Sequence, residues 1–181
     1  MGILLAFAPF IVFVLVERLV GVTAGLLAAT VTSALLLLRD VFAHKSTKIL
    51  ELGTLILFGG LALYAKLVDP AWSIIAVRVR VDAGLLLIVL ASLAMRRPFT
   101  LQYAREQVSR DLWGSPEFVR TNYRMTVVWA LAFAVMVIAE AAILYVPSLP
   151  PRVGFLITGA AIYGAFRFTA DYPKRRQLSL S

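Results

Sequence analysis

The sequence predicts an all-α, polytopic transmembrane helix bundle of five to six spans, with an amphipathic helix on its cytoplasmic surface. Three observations predict it. Of 181 residues, 61% are hydrophobic and 15% charged, against about 45–50% apolar and about 25% charged in a soluble domain. That much apolar area exceeds what a core of this size can enclose. Apolar runs near bilayer length recur along the chain. They are interrupted by one long polar stretch, RRPFTLQYAREQVSRDLWGSPEFVRTNYR, which sets six arginines against three acids between Arg96 and Arg124.

Ile3 to Leu38 is apolar except for Glu17 and Arg18. As one helix it would extend about 54 Å, against a hydrocarbon core of about 30 Å. Two crossings, 3–18 and 22–38, fit better, with the reversal near Glu17–Thr23. Pro9 makes the first piece a tilted crossing, a kinked span or a re-entrant hairpin. In the second, Gly21-x-x-x-Gly25 places small residues at helix-packing spacing. RDVFAHKSTK (39–48) reads as a short basic loop, with Ser46 or Thr47 capping a third span at 48–68. Glu51 suits the dipole at that helix start. Tyr64, Lys66 and Trp72 mark the far interface, and Asp69-Pro70 the turn.

A fourth span at 73–95 reaches adequate length only by including Arg78, Arg80 and Asp82. On a helix Arg78 and Asp82 form an i,i+4 pair; VRVRV read as an extended segment is the alternative. In the polar stretch, Leu101, Ala104, Val108 and Leu112 recur at intervals of three and four. They predict an interfacial helix over 100–113. Arg96, Arg97, Arg105 and Arg110 are its candidate contacts to anionic lipid headgroups. Gly114 stops it. Ser115-Pro116 supplies an N-cap and an N1 proline for a helix continuing into a fifth span at 125–146. Pro147, Pro150 and Pro151 make a stiff connection to a sixth at 153–169, followed by the tail Lys174-Arg175-Arg176.

Thirteen of the 18 Lys and Arg residues then fall on one side, which the positive-inside rule makes cytoplasmic. The C-terminus lies on that side. The formal charge of +8 is accounted for in this way, without nucleic acid. Without cysteine there is no disulfide or thiolate metal site. The single histidine, His44, reads as solvated, so neither a metal nor a cofactor is expected. The start Met-Gly-Ile-Leu-Leu lacks the basic region of a signal peptide and the Ser/Thr of a myristoylation motif.

No catalytic motif is present, and the expectation is a protein that is not an enzyme. The chemistry-bearing feature is a candidate intramembrane polar site of Glu140, Arg78, Arg80, Asp82 and Glu17, all in the outer half. An ionisable group there is paired, protonated or next to water. Two interpretations stand: a polar cavity built from Glu140 and an arginine, or a structural Glu–Arg clasp between helices.

Several segments carry a family resemblance: FAPFIVFVLVERLVGVTAGLLAATV at the start, HKSTK before LILFGGLALY, RRPF after the fourth span, and Asn122-Tyr123-Arg124 leading into VVWALAFAVMVIAEAAILY. In these the chain resembles the bacterial intracellular septation protein A family of YciB-type inner-membrane proteins. Its longer YAREQVSRDLWGSPEF connection and its VRVR segment depart from that pattern, as in a sister family. The resemblance implies a non-enzymatic role in envelope maintenance or septation through membrane-protein partners in the bacterial inner membrane. The residues themselves suggest an alternative, a small oligomeric channel or transporter with its site around Glu140 and Arg78/Arg80.

Overall fold

The computed structural model describes residues 5–68, 71–146 and 148–178, with side chains for all of these except 151 and 173–178. The Asp69-Pro70 turn, Pro147, the first residues of the 3–18 span and the side chains of the basic tail lie outside the described residues. All regular structure among the described residues is helical. In chain order these are α1 (Ala8–Leu19), α2 (Val22–Phe42), α3 (Ile49–Val68), α4 (Ile74–Ala94), α5 (Phe99–Ala104), α6 (Pro116–Tyr145) and α7 (Pro151–Leu178). Two single turns of 3₁₀-helix, Arg105–Gln107 and Arg110–Leu112, follow α5. The chain divides into two compact units, Met1–Val77 and Arg78–Ser181.

Among the described residues, four helices are long and apolar enough to cross a membrane: Val22–Phe42, Ile49–Val68, Pro116–Tyr145 and Arg152–Tyr172. α1 has 12 residues and extends only about 18 Å. α4 has 21 residues, but its first half carries Arg78, Arg80 and Asp82. Its VRVRV segment is helical rather than extended.

In the first unit, α1 ends where Val20 N–H and Gly21 N–H close on the Val16 and Glu17 carbonyls. Gly21 then adopts φ 123°, ψ 170°, a region essentially reserved for glycine, and the chain reverses. The Gly21/Gly25 pair expected to pack divides its duties. A Cβ on Gly21 would meet nothing within 4 Å, so this residue serves the turn. A Cβ on Gly25 would lie 3.1 Å from Glu17 Cβ, Glu17 N and Phe13 O, so here α2 rests directly on the α1 backbone.

α3 packs against α2, with Gly59 opposite Thr30. Phe58 of α3 fits against Phe10 and Phe13 at ring separations of 5.0 and 5.7 Å. The hydroxyls of Thr30, Thr32 and Ser33 donate to carbonyls four residues back, which satisfies them without water.

In the second unit α6 packs against α5 and α7. Ser115 caps α6 by accepting from Phe118 N–H, with Pro116 in the first turn, the start expected of a Ser-Pro pair. Trp129 is the centre of the core: fully buried, edge-on to Phe166 at 4.9 Å, and donating from Nε1 to Thr169 Oγ1.

The expected interfacial helix over 100–113 is replaced by α5 and the two 3₁₀ turns. Phe99, Thr100, Leu101 and Tyr103 are buried, so α5 enters the core rather than lying on a surface. Val108 (φ −129°, ψ 157°) and Ser109 (φ −62°, ψ 152°) are extended and break the helix. A β-branched residue followed by serine is weak helix-forming sequence, and it overrides the apolar spacing.

Candidate functional site

Three of the five predicted site residues come together in the second unit. Val81, Leu85 and Val89 are buried along one side of α4, and this fixes the helix's rotation. Asp82 lies next to that stripe, half-buried, and one turn from Arg78 on the same helix. Glu140 projects from α6 among buried Met136, Ala139 and Ile143, and is itself 6% exposed. Asp82 is within electrostatic reach of both Glu140 and Arg78.

α7 closes this group through Gly154, where a Cβ would lie 3.6 Å from Glu140 Oε1 and would collide with Ile143 Cδ1. The next residue, Phe155, places its ring 4.8 Å from the Arg78 guanidinium carbon, a cation–π distance. Two carboxylates and one arginine from α4 and α6 thus lie within electrostatic reach of one another near the start of α7. Arg80 is exposed on α4. Glu17 belongs to the first unit, buried on α1 where Gly25 meets it.

A second ionic group was not foreseen. α2 extends through Phe42, past the expected end at 38. Asp40 thereby joins the buried stripe of Leu26, Ala29 and Ser33. α3 begins at Ile49 with Leu52 N–H bonded to the Lys48 carbonyl, later than a cap at Ser46 or Thr47 requires. Lys48 Nζ donates to Asp40 Oδ2, and to Glu51 Oε1 at 3.3 Å. Lys48, Asp40 and Glu51 are 1%, 1% and 4% exposed. Arg39 donates from Nε and Nη2 to Asp40 Oδ1, so two cations balance two acids. Residues 39–48 are thus not a solvated basic loop throughout, although His44 is exposed. The missed signal was periodic: Leu26, Ser33 and Asp40 recur at seven-residue spacing, which is one face of a helix.

A third polar group joins α5 to α6. Thr100 Oγ1 donates to the Asn122 carbonyl and pairs with Thr126 Oγ1, both at 2.7 Å. With the Thr100 hydrogen committed to the carbonyl, the Thr126 hydroxyl is the donor to Thr100. Of the predicted headgroup contacts, Arg96, Arg97 and Arg110 are exposed and Arg105 half-buried.

Compared with known proteins, the chain matches no family model, no curated protein and no solved structure.

Proposed function

We propose that the chain is a multi-pass integral protein of a bacterial inner membrane, and that Asp82, Glu140 and Arg78 form the polar site of a small channel or transporter. The convergence of two acids and an arginine within otherwise apolar helices carries this reading. Ionisable groups at membrane depth are costly, and they mark ion and proton pathways more often than they serve as ballast. A carboxylate pair facing one guanidinium suits exchange of a proton or a small cation against the arginine.

In this reading α1 is a short tilted crossing and α4 a full one, which gives six crossings. The lysine and arginine distribution then puts both ends of the bundle and the 96–124 connection at the cytoplasmic, anionic surface. A conducting form assembled from several copies accords with the small size of each bundle.

Flux in proteoliposomes tests the reading. The wild type is expected to dissipate an imposed proton or monovalent-cation gradient. Glu140→Gln should keep its helicity and elution position and lose flux by about tenfold or more, since a buried charge-assisted contact is worth about 1.5–3 kcal/mol. A wild type that passes no ion under any gradient sinks the transport reading. If Glu140→Gln instead fails to fold, and Asp82→Asn conducts normally, Glu140 is a structural clasp.

A second reading is the envelope or septation role implied by the family resemblance, exercised through membrane-protein partners. It is favoured by outward apolar faces on α6 (Leu131, Ile138) and α7 (Leu156, Tyr163), each more than half exposed. Photo-crosslinkers at Ile138 and Leu156 should capture a defined partner in cells; crosslinks to lipid alone count against this role.

A further inference from the structure

The break after α5 has a chemical consequence. On an unbroken helix Arg105 and Arg110, five residues apart, would diverge by about 140°. The extended Val108–Ser109 step turns the chain back instead. Both guanidinium carbons then sit over the Trp113 ring, at 5.4 and 5.7 Å from its centroid. Neither guanidinium has an ion-pair partner among the described residues. Glu106 and Asp111, the acids of the same two turns, are exposed to solvent.

Two donors in this group are enclosed without an acceptor: Arg105 Nε and Trp113 Nε1. Buried N–H groups are nearly always paired, and a tucked-in indole N–H in particular finds an acceptor. The cluster thus presents two unpaired cations and two unsatisfied donors around one ring. An acceptor with several anionic oxygens satisfies all of them, and arginine pairs are suited to phosphate.

We propose that Arg105, Arg110 and Trp113 form a binding site for a phosphate group, supplied by the headgroup of an anionic phospholipid. The two guanidiniums hold the phosphate oxygens. The indole provides a third donor and the ring near which both guanidiniums sit. This rests on the membrane reading above, which puts the connection at headgroup level, and is independent of transport at Glu140. It also separates the headgroup contacts predicted from sequence. Arg105 and Arg110 form a site, whereas Arg96 and Arg97 contribute only to the surface field.

Native mass spectrometry of the full chain, released from micelles containing phosphatidylglycerol or phosphatidylcholine, tests the site. The wild type should retain phosphatidylglycerol in preference to phosphatidylcholine. Arg105→Gln/Arg110→Gln should weaken retention by about tenfold or more, because charge-assisted hydrogen bonds to phosphate are among the strong ones. Trp113→Phe keeps a smaller aromatic ring and removes the N–H; it should weaken retention by a few fold. Arg96→Gln/Arg97→Gln removes the same charge and should change little.

Equal losses in the two double variants would overturn the site, leaving only a diffuse basic surface. Inorganic phosphate titrated into lipid-free micelles distinguishes the source. A change in Trp113 emission, absent in Trp113→Phe, with no preference for phosphatidylglycerol, assigns the site to free phosphate and overturns the lipid assignment. Recovery of the wild type in the soluble fraction of lysed cells overturns the membrane reading by itself, whatever the phosphate result.

Discussion

Two helix ends in this chain are built alike and locked differently. α2 is followed by His44 and α4 by Arg96, two residues past each helix end and both in the left-handed region at φ 53° and 56°. Lys45 N–H bonds the Asp40 carbonyl, and Arg97 N–H the Ser92 carbonyl, each at 2.9 Å. This five-residue closure satisfies carbonyls that a helix end leaves open. Asp40 and Ser92 therefore occupy equivalent positions, and each is almost wholly buried. Eight residues further on, Lys48 and Thr100 are also equivalent and buried. In the first corner the two side chains form an ion pair. In the second, Ser92 Oγ accepts from Phe99 N–H, and Thr100 binds α6 through two hydroxyl-mediated bonds. The same backbone turn is thus secured by charge in one unit and by neutral hydrogen bonds in the other.

The difference predicts how each corner fails. A buried ion pair gains little over a well-packed apolar replacement, but removing one member strands the other. Lys48→Met leaves Asp40 and Glu51 enclosed without their ammonium, at a cost of about 3–5 kcal/mol. Thermal unfolding in detergent should show this as the largest single loss in the chain, or as failure to accumulate. The triple variant Asp40→Asn/Lys48→Met/Glu51→Gln should recover most of it. If Lys48→Met melts like the wild type, the ionic lock has no energetic role.

The neutral lock should weaken in smaller steps. Thr100→Val keeps the shape and removes the donor to the Asn122 carbonyl, along with the acceptor for Thr126. Each lost bond is worth about 0.5–1.5 kcal/mol, with more if a partner is left buried and unpaired. A loss of about 1–3 kcal/mol is expected, measured in the same way, and smaller than that of Lys48→Met. A larger loss would reverse the ranking of the two locks and show that α5 is the keystone of the second unit.

The same comparison explains what was legible in the sequence. Helices α2, α3, α6 and α7 declare themselves by long apolar runs, and the α6 start by Ser115-Pro116, because these are local signals. Residues 39–48 concealed their structure. Charge density there imitates a solvated loop, and only the continued spacing from Leu26 through Ser33 to Asp40 shows that the buried stripe runs on. The 100–113 segment misled in the opposite sense: its apolar spacing is helical, but Val108 and Ser109 leave the helix. The meeting of Asp82 and Glu140 has no local signature at all. It depends on how α4 and α6 are rotated, which the packing of Val81, Leu85, Met136 and Ile143 decides.

The backbone shared by the two corners yields the smallest and most symmetrical prediction. A left-handed conformation costs a residue with a Cβ about 1–2 kcal/mol relative to its usual regions. Glycine avoids that strain but loses more entropy on folding. His44→Gly and Arg96→Gly should therefore each stabilise by about 0.5–1 kcal/mol, because both side chains are exposed and little contact is lost. The two gains should be equal within error and additive in the double variant, since corners without shared partners do not couple. Equal gains would show that the turn geometry is set by the backbone alone, whichever lock lies beneath it. A gain at Arg96 with a loss at His44 would show instead that the ionic corner depends on its histidine.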